Sequence, residues 1–356
     1  MRTRRVLLIG LTVGLALAGT VLGSDIGQQV ASQVDVASYQ NFLDNELFTH
    51  DGDDRGAGGG ADHDAARDNI LAAFQSFGLT AELQYFSYWG YAGYNVVATQ
   101  LGTVYPDAQY VIGAHYDSVD NPGADDDASG VAGLLEIARV LSQYETEYTI
   151  RYIAFDMEEW GLIGSQVYVD DHAGADIRGM IQLDMIAYDH GNRAVEIYGR
   201  SASAQLKNDL AAAIAEYGNG LGVTILGPLD ASDHAPFEWA GYQACLLIEA
   251  DSDYNPCYHR NCDSVDTPDY ISYDYAADFA RSVAGYLADH AVVIDQPCEG
   301  DINGDNQVDL ADLAILLSNY GMTGGATWAD GDLSGDGNVD LVDLAVLLAA
   351  YGQPCP

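Results

Sequence analysis

The sequence predicts an α/β domain built on a mostly parallel twisted sheet flanked by helices, followed by a small all-α module. Two observations carry this reading. From about residue 60 onward, apolar runs of strand length alternate with stretches of helical period, the pattern of a parallel sheet with crossover helices. From Cys298 onward the composition shifts to ten acidic residues, no lysine or arginine, and an internal repeat. The boundaries that follow are 1–23 for a leader, 24–296 for the α/β domain and 297–356 for the tail.

The leader opens with Arg2, Arg4 and Arg5 and continues as VLLIGLTVGLALAGTVLG, Val6 to Gly23. A basic start, a short apolar run and small residues at its end describe a secretory signal, cleaved after Gly23. That makes the protein secreted or cell-surface associated. A retained anchor is the competing reading, but the run is short for a membrane span and holds glycines. No later segment is long and apolar enough to cross a bilayer.

The elements follow in order. SDIGQQVASQVDVASYQNFLDNELF is a lead-in and a helix. The glycine-rich RGAGGGAD feeds a second helix with Asp62 as its cap, Ala66, Ile70, Phe74 and Phe77 on one face, and Gly78 as its stop. NVVATQLG and AQYVIGAHYDS are strands, ASGVAGLLEIARVLSQYE an amphipathic helix, and YTIRYIAFD a strand. GMIQLDMIAY and YQACLLIEA are further strands, with the helix SASAQLKNDLAAAIAEYG between them. YDYAADFARSVAGYLADHAVV is the last helix of the domain.

Charge narrows the function. Thirteen basic residues face 54 acidic ones, a formal net charge of −41. Without the three leader arginines the balance is −44. Such a surface does not attract nucleic acid or anionic membrane. It suits solubility and cation binding. The five cysteines belong to an exported chain, where they can oxidise. Cys257 and Cys262 bracket CYHRNC, and Cys298 and Cys355 each end a QPC tripeptide, so bridges 257–262 and 298–355 are expected. Spacing alone does not fix that connectivity. Cys245, inside ACLLIEA, is left as a buried thiol.

Five pieces of chemistry stand where strands end. In GAHYDSVD, His115 and Asp117 share one face of an extended segment, so His115 could ligate a metal while Asp117 takes its other ring proton. In GADDDASG, three aspartates precede a helix and could cap it or supply a ligand. Glu158 and Glu159 are adjacent carboxylates just past an apolar strand, a solvated turn unless a cation balances them. Asp184 is an acid inside the apolar IQLDMIAY and wants a partner. His259 sits in the small Cys257–Cys262 loop. Two histidines and several carboxylates at strand ends of one sheet suit a pair of zinc ions.

GAHYDS, GADDDASG, EEWGLIGS, QLDM and YNPCYH, in that order, resemble the secreted bacterial zinc aminopeptidases of the leucyl and aminopeptidase Y kind. The resemblance covers about residues 36 to 293. It implies two Zn²⁺ bridged by Asp126, with His115 and Asp184 completing one ion and Glu159 and His259 the other. It also implies a cis peptide between Asp126 and Asp127, Glu158 as general base, Tyr258 as an oxyanion donor, and peptides with a free N-terminus as substrates. Carboxypeptidases and glutaminyl cyclases share the fold and much of the ligand set, and a non-catalytic scaffold is the reading from a different class.

The tail repeats DINGDNQVDLAD and DLSGDGNVDLVD. Asp301, Asn303, Asp305, Asp309 and Asp312 fall at calcium-loop positions 1, 3, 5, 9 and 12, with the Gln307 carbonyl at 7. Asp332, Ser334, Asp336, Asp340 and Asp343 repeat them, with the Asn338 carbonyl. Two such loops, each leading into a helix and ending in Asp, resemble a dockerin, which implies two Ca²⁺ and a cohesin-like partner. A calcium-stabilised end cap without a partner is the plainer alternative.

Overall fold

The structure is a computed structural model that describes residues 25–291, 293–294, 300–303 and 307–352. The leader 1–23, the boundary at 296/297, Asp305, Cys298 and Cys355 lie outside the described residues.

The lead-in is two helices rather than one. The α1 helix (Asp25–Ser32) ends before Asp35, whose carboxylate accepts the Ala37 N–H at 2.7 Å and so starts α2 (Val36–Asn41). A π-helical turn, Phe42–Glu46, follows. The α3 helix (Ala61–Ser76) starts from Gly60, so Asp62 does not cap it. Asp62 lies in the first turn and accepts the Asp54 N–H at 3.2 Å. Ala66, Ile70 and Phe74 are buried on the expected face.

Strands β1 (Thr80–Tyr88) and β2 (Tyr91–Gln100) form an antiparallel hairpin. Its two turn residues, Trp89 and Gly90, have φ of 50° and 93°, the left-handed pair that a tight hairpin requires. The sequence reading contained β2 but not β1, whose apolar pattern is broken by Glu82, Gln84 and Ser87 on a half-exposed strand. Next come β3 (Tyr105–His115), α4 (Ala128–Leu141), β4 (Glu145–Thr146), β5 (Tyr148–Phe155), α5 (Ile163–Asp171) and β6 (Asp176–Leu183). Then come β7 (Ala194–Tyr198), α6 (Ala204–Tyr217), β8 (Gly222–Ile225), α7 (His234–Trp239), β9 (Ala244–Glu249), α8 (Tyr273–His290) and β10 (Val293–Ile294).

Eight strands make one mixed, mostly parallel sheet in the order β1-β2-β5-β3-β6-β9-β7-β8. The central four, β5, β3, β6 and β9, run parallel, while β1, β2 and the β7–β8 pair supply the antiparallel junctions. Alternation along β3 divides the core. Ile112 and Ala114 join α1, α4, α6 and α8 on one face, and Val111 joins Tyr168 of α5 and Phe237 of α7 on the other. Lys207, the chain's one lysine, is buried on α6, where its ammonium donates to the carbonyls of Gly199 (2.5 Å) and Leu226 (2.7 Å). Among the described residues no helix is long and apolar enough to cross a membrane.

In the tail, α9 (Leu310–Asn319) and α10 (Leu341–Ala350) each begin in a capping box, Asp309 with Asp312 and Asp340 with Asp343. Ile302, Val308, Leu316, Val339 and Leu347 form a small apolar cluster of their own.

Candidate metal centre

The four central strands all point their carboxyl ends at one region, the usual location of a site in an open α/β sheet. His115 is the last residue of β3. Glu158 and Glu159 follow β5, and Asp184 follows β6. The expectation of an acid inside a strand is corrected here: β6 ends at Leu183, and Asp184 is the first residue of the turn. The loop after β9 carries Tyr258 and His259 and is closed by the Cys257–Cys262 disulfide. Cys245, on β9, is a buried free thiol.

Two groups of side chains converge. His115, Asp126 and Asp184 offer donor atoms within 4.8 Å of one another, and so do Asp126, Glu159 and His259. Asp126 is common to both. Its Oδ1 lies 3.3 Å from His115 Nε2, and its Oδ2 3.2 Å from His259 Nε2. Glu159 Oε2 is 3.4 Å from the same His259 nitrogen, and Asp184 Oδ1 is 3.8 Å from His115 Nε2.

The three consecutive aspartates divide the work. Asp127 caps α4, accepting the Gly130 N–H at 2.9 Å. Asp125 turns the other way and accepts the Ala187 N–H at 2.8 Å. Only Asp126 faces the histidines. The Asp126–Asp127 peptide is cis. Asp263 accepts the backbone N–H groups of both Asp125 (2.7 Å) and Asp126 (3.1 Å), which clamps the turn.

Asp117 serves the His115 ring through both its backbone and its side chain. His115 Nδ1 donates to the backbone carbonyl of Asp117 at 3.1 Å, while the carboxylate stands 3.5 Å away. That bond fixes the ring so that Nε2 faces Asp126 and Asp184. The carboxylate also accepts the N–H groups of Glu158 and Glu159, both at 3.1 Å. The adjacent glutamates are therefore held as a turn by a third acid.

Burial dominates the electrostatics. It pushes Glu159 up to about 9, reinforced by the charge of Asp126, and Asp184 up to about 7, partly offset by His115. Ser232 donates to Asp184 Oδ2 at 2.5 Å. Glu158 is raised well above the carboxylate range, first by burial and then by Asp233, Asp184 and Asp117, against the pull of His115. Burial also works against ionised Asp126, but the flanking imidazoles of His115 and His259 outweigh it and hold its pKa below the usual range. Tyr258 stacks on His259 at 3.9 Å, and burial with the nearby carboxylates keeps its phenol protonated.

These groups open into a cavity of about 120 Å³ whose other wall is apolar: Met185, Leu229, Ala231, Leu246 and Ile248.

Several supporting residues escaped the sequence reading. Asn255 donates to Asp125 Oδ2 (2.8 Å) and Glu249 Oε1 (3.0 Å) and accepts from the Cys257 N–H and the Tyr270 hydroxyl, each at 3.0 Å. Glu249, an acid closing the apolar ACLLIE, carried the same signal as Asp184. Arg55 is fully buried and donates to the carbonyls of Tyr116 (2.9 Å), Phe48 (3.1 Å), Gly123 (2.8 Å) and Pro122. His63 pairs with Asp156 at 2.9 Å beneath the glutamate turn. No local sequence signal marks Arg55 or His63, since most of the Arg55 bonds and the His63–Asp156 pair span more than 60 residues.

Among the described residues the two groups above are the His, Cys, Asp and Glu clusters so arranged, and the tail loops furnish none. There Asp312 accepts the N–H groups of Ile302 (2.8 Å), Asn303 (3.1 Å) and Asp309 (2.9 Å). Asp343 accepts those of Ser334 (2.9 Å) and Asp340 (2.7 Å). Asp332 gathers those of Gly335, Asp336 and Gly337.

The chain is 36% identical over 173 residues to aminopeptidase YwaD of Bacillus subtilis, covering 46% of this chain and 37% of that one. It is 31% identical over 243 residues to leucine aminopeptidase 1 of Neurospora crassa, covering 62% and 58%. The chain thus spans between a third and about three fifths of the length of these curated relatives. In three dimensions it is similar to LapB from Legionella pneumophila, with a TM-score of 0.65, 22% identity, and 76% and 75% of the two chains covered. A glutaminyl cyclase from Bacteroides thetaiotaomicron gives a TM-score of 0.61 at 21% identity, covering 72% and 98%. The profile of peptidase family M28 matches residues 95–284. Matched over more than half its length by that profile, the chain belongs to peptidase family M28.

Proposed function

We propose that the chain is a two-zinc aminopeptidase, and the single observation behind this is the pair of ligand groups that share Asp126. The residues fit the ions. Asp126 Oδ2 and Glu159 Oε1 are buried without a hydrogen-bond partner, an arrangement that a cation resolves. Imidazole and carboxylate are zinc donors. His115 and Asp184 would complete one site, and Glu159 and His259 the other. Bound there, the ions would supply Lewis acidity at the scissile carbonyl and acidify water.

The remaining chemistry belongs to side chains. Glu158, buried and raised in pKa, takes the proton of the attacking water and returns it to the departing amine. The protonated Tyr258 hydroxyl donates to the developing oxyanion. The carboxylates of the cavity hold the substrate's free α-ammonium, and the wall of Met185, Leu229, Leu246 and Ile248 takes an apolar first side chain. Leucine-like first residues follow from that lining.

The zinc-loaded chain should release leucine from Leu-p-nitroanilide, lose that activity to a chelator, and leave N-acetylated peptides intact. Cleavage of blocked peptides alone, or cyclisation of N-terminal glutamine in place of hydrolysis, would overturn the proposal. The proposal extends to export, on the strength of residues 1–23, and to a calcium-binding, dockerin-like tail with a cohesin-like partner. The support for the tail is the duplicated 1-3-5-7-9-12 spacing and the burial of Asp301, Asp312, Asp332 and Asp343. Calorimetry with and without calcium tests the ion, and a pull-down from the host envelope tests the partner.

A further inference from the structure

The β1–β2 hairpin reaches past the carboxyl end of β5. Val96 of β2 pairs with Ala154 of β5 in antiparallel register, so residues earlier than Asn95 run beyond the carboxyl end of β5. That is the end from which Glu158 and Glu159 emerge. Asn95 marks the level: its side-chain oxygen accepts the Asp156 N–H at 3.1 Å. Tyr91 lies four residues further along, about 13 Å at a strand rise of about 3.3 Å per residue. The hairpin tip therefore projects beyond the sheet on the same side as the site.

Its exposed side chains are aromatic. Trp89 is 88% exposed and Tyr91 52%. Tyr88 pairs across the hairpin with Tyr91 and stacks on Trp89 at 5.7 Å. Tyr91 sets its edge against Trp160 at 4.9 Å, and Trp160 directly follows Glu159. The indole of Trp160 lies over Gly58, where an added Cβ would meet its Cη2 at 2.4 Å. A row of rings thus runs from beside a proposed ligand to the hairpin tip. The rings are uncharged on an otherwise acidic surface, and only short side-chain torsions must be frozen for them to bind.

We propose that this aromatic row is a second substrate subsite, which takes an aromatic or large apolar side chain two or three residues beyond the bond that is cut. It rests on the peptidase reading above. An extended peptide advances about 3.3–3.6 Å per residue, so such a side chain falls about 7–11 Å from the cut bond, and Trp160, which follows Glu159, starts the row on that side. Ring-on-ring contact gives the preference its size, and the tip's distance from the reacting groups places the effect in KM.

The test compares Leu-Gly-Phe with Leu-Gly-Gly on the zinc-loaded full chain, by turnover and by calorimetric binding. The expected result is a roughly two- to tenfold preference for Leu-Gly-Phe, the range of one aromatic contact, carried by KM. The double variant Trp89→Ala/Tyr91→Ala should reduce the preference to about one, and Tyr91→Phe should retain it. Equal kcat/KM for the two peptides, or a preference that survives the double variant, overturns the proposal. So does a self-association that the double variant abolishes while the peptide preference stands, since a second copy would then be the occupant. If neither peptide is cleaved, the peptidase reading fails. Binding that prefers Leu-Gly-Phe and depends on Tyr91 would still support the subsite, and binding without that preference would overturn it.

Discussion

Replacing Asn255 by alanine tests whether the loop bearing Tyr258 and His259 is held by one amide. The side chain makes four buried hydrogen bonds, to Asp125, Glu249, the Cys257 N–H and the Tyr270 hydroxyl. A buried polar group stripped of its partner costs about 1–3 kcal/mol. Four such groups at the low end, with water entering the vacated space, give about 4 kcal/mol. At about 2–4 °C per kcal/mol for a domain of this size, the melting temperature falls by about 8–16 °C. Differential scanning calorimetry reads that shift, and zinc per chain shows whether the His259 site empties first. Asn255→Asp adds a pH signature. A carboxylate set against Asp125 and Glu249 has a folded pKa above its ordinary value. Its penalty appears once the pH exceeds that ordinary value and grows until the folded pKa is passed. The deficit against wild type should therefore be smaller near about pH 4 than near about pH 8. A melting shift under about 2 °C for Asn255→Ala, with both metals retained, would refute the reasoning.

Other outcomes follow from the same geometry. Glu158→Gln should keep both metals by elemental analysis and lose about 10²–10⁴ in kcat, the size of a general-base contribution. Glu159→Ala should lose metal from the Asp126–His259 site while the His115–Asp184 site stays loaded, read as about one zinc per chain in place of two. The metal-free chain should lose stability as pH rises from about 4 to about 9. Burial raises Asp125 to about 6, Asp184 and Asp233 to about 7 and Glu159 to about 9, so the folded state holds protons that the unfolded state has already released. Zinc displaces those protons and should flatten the curve, so a chelated chain whose melting temperature climbs with pH would contradict the assignment.

Legibility of the fold in sequence followed burial. The central strands β3, β5, β6 and β9 are near-continuous apolar runs because helices cover both their faces, and such runs stand out. Strand β1 mixes Glu82, Gln84 and Ser87 with apolar residues at the sheet edge, and the short β7 and β8 lie at the other edge, so none gave a clear period. At the site, the residues brought together around Asp126 are consecutive motifs at strand ends, visible because several acids in apolar surroundings demand a partner. The groups that hold them were not visible. Asp263 clamps Asp125 and Asp126 from more than a hundred residues away, and Arg55 reaches Pro122 and Gly123 across the fold. The two-residue spacing shows Asp117 beside His115, but its second task, accepting the glutamate amides, leaves no mark in the sequence.

The burial of Lys207 has a practical consequence. Because it is the chain's one lysine and its ammonium is committed to two carbonyls, an amine-reactive reagent meets no lysine on the native surface. Acylation of folded protein should be confined to the terminal amine. Opening of α6 away from β7 and β8 would expose a second, single position. Mass spectrometry after pulsed acylation would then count that opening directly, one added tag per molecule, without any engineered label.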